Sequence, residues 1–397
     1  MEFIFAKKII IGSGIAGLYY AMMNINLKDN LKDDFIILEK NSYVGGRIKT
    51  DSFHGKNIVV GAGVGRSRDK LLKKLLTDLG FQDIKEIKSC HHHNRDNRDN
   101  RDILDPLKLI NHMKNTINEN EIRGSFENVV RKLYGKQVLK SFIASTGITD
   151  YLKEDYRETL YHYGMEDNVG CNDIFYVPWK KLIDKLVEII GEKNIKLNTK
   201  VVNIQEKDDG TITLKTLGNE YRCEKLIIAT DIKFIHKIFS NNPLYKYISF
   251  QPFCRVYVKF DVYSTKIIRK YVWDNGITIL DVYPGLQKII PISVSDGIYM
   301  IAYNDNESAK RIKYYTNRQL CTLIKQSLKI KENIKIIDYR IYYWTIGTHY
   351  FRPYPWKYDE WKYILPLMKN PTKNIKVIGE FNSFNQGWVE GALESCL

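Results

Sequence analysis

The sequence has no run of about 18 uncharged apolar residues, so it offers no candidate membrane-spanning helix. Its opening, Met1-Glu2-Phe3-Ile4-Phe5-Ala6-Lys7-Lys8, is too short and too soon charged for a secretory signal and runs into the first expected strand. The six cysteines, Cys90, Cys171, Cys223, Cys254, Cys321 and Cys396, show neither CxxC nor CxxxH spacing. That argues against a zinc site and against a disulfide framework, and makes a reducing, cytoplasmic compartment the expectation. There is no concentrated basic tail and no aromatic–basic repeat. The net charge of +15 therefore reads first as a solvated lysine-rich surface, and a nucleic-acid partner is disfavoured rather than excluded.

What is present suits a large folded enzyme. At 397 residues, 44% of them hydrophobic, the chain can build two domains with a shared interface. Phe5 to Ile11 reads as a buried parallel strand, Ile15 to Leu27 as a helix, and Phe35 to Leu38 as a second buried strand. Asp69 to Leu79 carries leucine at helical spacing, and Gly80 should end that helix. His91 to Asp102, three histidines followed by Asn-Arg-Asp repeats, cannot bury a face and is expected to be a loop. Its histidines read as fortuitous, so no metal is expected. Residues 103–190 look mainly helical, with Phe126 to Phe142 and Trp179 to Ile190 clearest. Lys196 to Glu206 and Gly210 to Thr216 read as a hairpin. Leu226 to Thr230, Cys254 to Val262, Ile298 to Tyr303 and Val377 to Glu380 read as strands, Asn317 to Ile330 as a helix, and a last helix should start near Gln386.

The chemistry starts at Gly12-Ser13-Gly14-Ile15-Ala16-Gly17, a GxGxxG turn between a strand and a helix. Glycine there lets backbone approach a pyrophosphate, and the helix N-terminus behind it carries roughly half a positive charge. Glu39, about 20 residues on, ends the second strand, where a carboxylate can accept hydrogen bonds from an adenosine ribose. To this point NAD and FAD fit equally.

Gly45-Gly46-Arg47 follows, and with it the sequence resembles the flavin-containing amine oxidase superfamily: monoamine and polyamine oxidases, L-amino-acid oxidases and flavin-dependent histone demethylases. The resemblance extends to Gly61-Ala62-Gly63, to Asn198-Thr199-Lys200-Val201, to Ile228-Ala229-Thr230, to Trp344 through Tyr350, and to Gly379-Glu380 and Gly387 through Ser395. It implies an α/β fold: a discontinuous Rossmann-like FAD-binding domain (1–85, 191–250 and 340–397) with an inserted α+β substrate domain (86–190 and 251–339).

The cofactor contacts it implies are Gly12, Gly14, Ile15, Ala16, Gly17, Glu39, Lys40, Gly46, Arg47, Gly61, Ala62, Gly63, Val201, Trp344, Gly379, Glu380, Trp388, Val389 and Ala392. Arg47 would neutralise phosphate. The last helix would point its N-terminus at the ring, worth about 0.3–1 kcal/mol for the dipole. Trp388 and His349, or less readily Tyr350, would wall the substrate. Arg66 reads equally as a site residue and a surface one.

Two positions depart from the family. Arg255 falls where several relatives carry a lysine beside flavin N5; it holds its proton too firmly to act as a base, and as a catalytic residue it would stabilise negative charge electrostatically. Lys259 is the register alternative. Thr348 falls where some relatives tether the flavin through cysteine, so FAD should be non-covalent. The implied reaction is hydride transfer from a C–H beside an amine nitrogen of a small-molecule substrate to flavin N5, with O2 as acceptor. A desaturase acting on C–C bonds and a low-turnover flavoprotein with a binding role are the alternatives.

Overall fold

The computed structural model describes residues 3–25, 35–82, 84–93, 104–272, 277–282 and 285–397. The first apolar run is two strands rather than one. Phe3–Phe5 pairs with Glu220–Cys223 in one sheet, and Lys8–Ile11 re-enters in another. The break falls at Lys7, whose carbonyl accepts from the N–H groups of Glu224 and Lys225.

Lys8–Ile11 is the middle of a parallel sheet ordered Ile375–Val377, Lys225–Ile228, Lys8–Ile11, Phe35–Leu38 and Ile195–Lys196. Its strands come from the start, middle and end of the chain. Both faces are covered, which is why the three central strands are Ile- and Leu-rich on both faces, with Lys8 and Lys225 only at their first positions. On one face, helices Ile15–Met23, Lys70–Asp78, Trp179–Ile190 and Val389–Glu394 bury Leu18, Leu72, Leu75, Leu76, Leu182, Leu186 and Leu393. On the other, Ile9, Ile11, Leu226 and Ile228 pack against Ile232 and Ile235 of Ile232–Ile238 and Trp361 and Leu365 of Trp361–Lys369. The fold is α/β with a discontinuous Rossmann-like sheet.

A second, mixed sheet runs in the order Ile336–Phe351, Ile248–Phe260, Ile298–Asp305, Gln287–Ser293, Ile277–Val282, Glu86–His93, Cys171–Phe175 and Gly65–Arg66. Helices Pro106–Thr116, Phe126–Thr146 and Tyr156–Tyr161 close a separate core, in which the Tyr151 ring meets those of Phe126 and Phe142 edge-on. Gly135, at φ 87°, breaks Phe126–Thr146 into two helical pieces.

Several expectations are corrected. The hairpin is shorter, pairing Asn203–Glu206 with Ile212–Lys215, because Ile195–Lys196 belongs to the parallel sheet. Val262 starts a helix instead of ending a strand. His91 to His93 extend strand Glu86–His93, paired with residues 279–281, while the Asn-Arg-Asp repeats lie outside the described residues.

The largest correction concerns the cysteines. Antiparallel pairing of Glu86–His93 with Cys171–Phe175 sets Cys90 opposite Cys171, and the two form a disulfide across 81 residues of sequence. Local spacing cannot register a pairing made by strand register. The cysteine argument for a reducing compartment falls with it. Alkylation of the denatured protein should label four thiols, those of Cys223, Cys254, Cys321 and Cys396, and six only after reduction. Mass spectrometry of the labelled chain checks this.

Candidate active site

One cavity of about 1120 Å³ reaches from the Gly12 turn to the C-terminal helix and on into the second sheet. At its first end the chain must make a turn that only glycine accommodates. Gly12 has φ 102°, and a Cβ there would lie 2.3 Å from the Ala229 carbonyl oxygen. A Cβ on Gly14 would meet no protein atom within 4 Å, so that position opens onto the cavity. No side chain caps helix Ile15–Met23, so its leading N–H groups face a place for an anion. Gly14, Ile15 and Ala16 line the cavity. Gly17 does not: it packs beneath the turn, against the Gly12 carbonyl.

Glu39 is 4% exposed at the cavity wall. Its Oε2 accepts from Ser13 N and Oγ at 2.9 Å, and its Oε1 from Asn41 N and Nδ2 at 2.8 Å. Lys40 pairs with Asp231 at the rim, and Val201 is buried behind. Gly46 backs directly onto Gly14.

Arg47 Nη1 donates to the Gly347 carbonyl at 2.8 Å and to Glu380 Oε1 at 2.6 Å. On the other side of Glu380, His349 Nδ1 lies 2.8 Å from both carboxylate oxygens. Burial pushes Glu380 up, but Arg47 and His349 overcome it and bring the carboxyl down to about 2. A depressed folded value means stability that is present above the ordinary 4.5 and is lost as pH falls through about 2. That shift corresponds to on the order of 3 kcal/mol. Denaturant titrations between pH 6 and 2 should show it in the wild type and not in Glu380→Gln.

The turn Gly61-Ala62-Gly63 is clamped by two indoles, that of Trp344, which lines the cavity, and that of Trp179, which does not. Trp344 Nε1 donates to Val60 O at 2.6 Å, and Trp179 Nε1 to Gly63 O at 2.9 Å. Arg255 stands over this turn in the cavity wall, whereas Lys259 donates to the Asp296 carbonyl and is not among the lining residues. Thr348 accepts from Gln251 Nε2 at 3.1 Å.

At the C-terminal end Gly379, Glu380, Trp388, Val389 and Ala392 all line the cavity. Arg66, 3% exposed, stacks its guanidinium 4.0 Å from the Trp388 ring centre while bonding Asp69 and Asn385. His349 is a hydrogen-bonded imidazole, and its ring packs 5.4 Å from that of Phe381.

Sequence reasoning did not find the far wall. Asp150, Glu154, Glu158, His162 and Tyr163 line it, carried mostly by Tyr156–Tyr161 and its flanks. Burial pushes Asp150 and Glu158 up to about 7, and lifts Glu154 well above its ordinary range with Glu158 alongside. Burial brings His162 down to about 4. Nothing in the spacing separates these acids from a solvated helix face. Glu390 was also unassigned: its two oxygens cap helix Lys70–Asp78 by accepting from Leu71 N and Leu72 N at 2.8 and 2.9 Å.

The cavity suits an extended dinucleotide. It has an open glycine turn with an uncapped helix end, and Gln251 Oε1, Arg255 Nε and His349 Nε2 are buried in its wall with no partner among the described residues. Buried polar groups are rarely left in that state unless something else bonds them.

The glycine turn, the parallel sheet and the two-ended cavity define a dinucleotide-binding oxidoreductase. A family model described as NAD(P)-binding Rossmann-like domain matches residues 10–79, and one described as flavin containing amine oxidoreductase matches residues 116–397. The chain belongs to the flavin-containing amine oxidoreductase family, and it is a flavin-dependent oxidoreductase. No curated protein sequence matches it significantly. Among solved structures it is similar to wild-type putrescine oxidase bound to putrescine (TM-score 0.73, 14% identity, covering 100% of this chain and 98% of that one). It is also similar to cyclohexylamine oxidase from Brevibacterium oxydans IH-35A (TM-score 0.70, 16% identity, covering 98% and 97%). Among the described residues no helix is long and apolar enough to cross a membrane.

Proposed function

We propose that the chain is an amine oxidase that holds FAD without a covalent bond, accepts hydride from the carbon beside a small substrate's amine nitrogen, and passes the electrons to O2. One observation carries the reading: residues from both ends of the chain, Gly12 to Arg47 and Gly379 to Ala392, meet around a single cavity. Bound FAD would supply the hydride acceptor and the reaction with oxygen.

The protein's part follows from its residues. Segments 1–85, 191–250 and 340–397 would hold the cofactor. The uncapped start of Ile15–Met23 would take the pyrophosphate, with Arg47 neutralising charge from a position fixed by Glu380. Glu39 would exchange Ser13 Oγ and Asn41 Nδ2 for ribose hydroxyls, since its four acceptor sites are otherwise full. Thr348 offers no thiolate for a tether. Trp388, held from behind by Arg66, and His349 would line the amine's approach and keep water out. The acids of the far wall, 86–190 with 251–339, would face the substrate.

Purified protein should be yellow, and acid or heat should release the colour into the supernatant. Anaerobic addition of small primary and secondary amines should bleach it, and air should restore it with one H2O2 per amine consumed. A colourless protein that takes up no FAD ends this reading. Bleaching by amines without peroxide would remove O2 as the acceptor.

A further inference from the structure

Three arginines are buried among the described residues: Arg66, Arg157 and Arg255. Arg66 is paired with Asp69, and Arg157 with Asp155. Among the described residues no carboxylate is paired with Arg255. Its Nη1 donates to the Val59 carbonyl at 2.7 Å, its Nε has no partner, and its side chain borders the cavity at 4% exposure. The rings of Tyr303 and Phe253 lie 5.0 and 5.6 Å from its guanidinium carbon. Tyr257 OH competes for the same Val59 carbonyl, at 2.6 Å.

The acids that share the cavity are already committed: Asp150 accepts from Tyr163 OH, Glu154 from Thr159 Oγ1, Glu158 from Tyr354 OH and Trp361 Nε1, Asp167 from Arg68, and Asp231 pairs with Lys40. Asp305, opposite Phe253 on the neighbouring strand, accepts from Thr149 N and Gln287 Nε2. Glu380 is held by Arg47 and His349, and Glu39 by Ser13 and Asn41. One carbonyl, the neighbouring Tyr257 hydroxyl and two ring faces, none of them carrying negative charge, do not repay the desolvation of a guanidinium. The missing counter-charge has to arrive with whatever fills the cavity.

We propose that Arg255 is an anion subsite, and that the occupant of the cavity presents negative charge to its guanidinium. The charge has two chemical sources: a carboxylate on the substrate, or the negative charge of the reduced flavin ring. Only the second rests on the flavin reading above. Either way the cation acts by attraction, with no proton leaving it.

The test compares wild type with Arg255→Met and Arg255→Lys. Benzoate and its neutral isostere benzamide are titrated into FAD-loaded protein by flavin absorbance, and into FAD-free protein by tryptophan fluorescence. The reduced fraction of flavin is measured at the wild-type midpoint potential. A substrate carboxylate site gives benzoate at least ten-fold tighter binding than benzamide, a preference lost in Arg255→Met and kept in Arg255→Lys. A site for the ring's charge gives no benzoate preference, but a reduced fraction at least five-fold lower in Arg255→Met, restored in Arg255→Lys.

Thermal unfolding of the FAD-free protein adds a separate readout. Arg255→Met should unfold at the same temperature as wild type or higher, because an unpaired buried charge has been removed. A folded Arg255→Met protein unchanged in both binding and reduction overturns the proposal, and so does a marked fall in its unfolding temperature, which would give Arg255 a purely structural role. If the chain takes up no FAD the flavin reading fails by itself. The fluorescence titration then decides alone, and absence of a benzoate preference overturns the subsite.

Discussion

Gly61→Ala should yield a protein that neither retains FAD nor unfolds at the wild-type temperature. A Cβ at residue 61 would sit 1.7 Å from the Arg47 carbonyl oxygen and 2.8 Å from its carbonyl carbon, both backbone atoms that no rotamer can move. The Ala62 N–H bonds that same carbonyl at 3.0 Å, so separating the two strands of chain also frees the turn under Trp344. The displaced backbone belongs to Arg47, which spans the Gly347 carbonyl and Glu380. One methyl therefore disturbs three walls of the cavity together. Gly218→Ala is the control, since a Cβ there meets nothing within 4 Å. Flavin content after gel filtration and the unfolding temperature separate the two variants. Normal colour in Gly61→Ala would show that the crossing at Arg47 is looser than its contacts indicate.

The second large effect is expected away from the cofactor end. Arg157 and Asp155 are both 0% exposed and joined through Arg157 Nε and Nη2, at 2.9 Å each. The same guanidinium donates to the carbonyls of Tyr354 and Trp356 and stacks 4.0 Å from the Tyr354 ring centre. It ties helix Tyr156–Tyr161 to a segment almost 200 residues further along. Arg157→Leu leaves a carboxylate with no cation in a dry interior, and should cost about 3–5 kcal/mol of stability. Asp155→Asn/Arg157→Leu should recover part of that loss, because the stranded charge is gone. Denaturant midpoints of the two variants and the wild type measure it. Because Glu154 and Glu158 flank this pair and line the cavity, Arg157→Leu should also disturb the far wall.

The glycine-turn end of the cavity was legible in the sequence because its logic is local. A buried parallel strand is mostly apolar, a turn packed against the Ala229 carbonyl must be glycine, and a buried acid, Glu39, follows the next strand. All of these fall within the first 47 residues. The C-terminal segment was legible through its resemblance to a family, not through its spacing. What could not be read depends on register or burial. Cys90 meets Cys171 only because two strands pair in one register out of several. The acids Asp150, Glu154 and Glu158 look like solvated charge until helix Tyr156–Tyr161 is seen packed under Trp361 and Tyr354, both of which donate to Glu158. The isolation of Arg255 is a property of its surroundings, which no linear pattern encodes.

The parallel sheet takes its edge strand from Ile375–Val377, and Glu390 caps a helix that begins at Lys70. A ribosome must therefore deliver residue 375 before the first pairing can form and residue 390 before the second. Until then the nascent polypeptide carries a glycine turn without the C-terminal wall of its cavity and a leucine-faced helix with no cover. Loading of the prosthetic group should follow synthesis rather than accompany it. Nascent chains arrested before residue 375 should engage chaperones and stay colourless, however much vitamin the cell supplies.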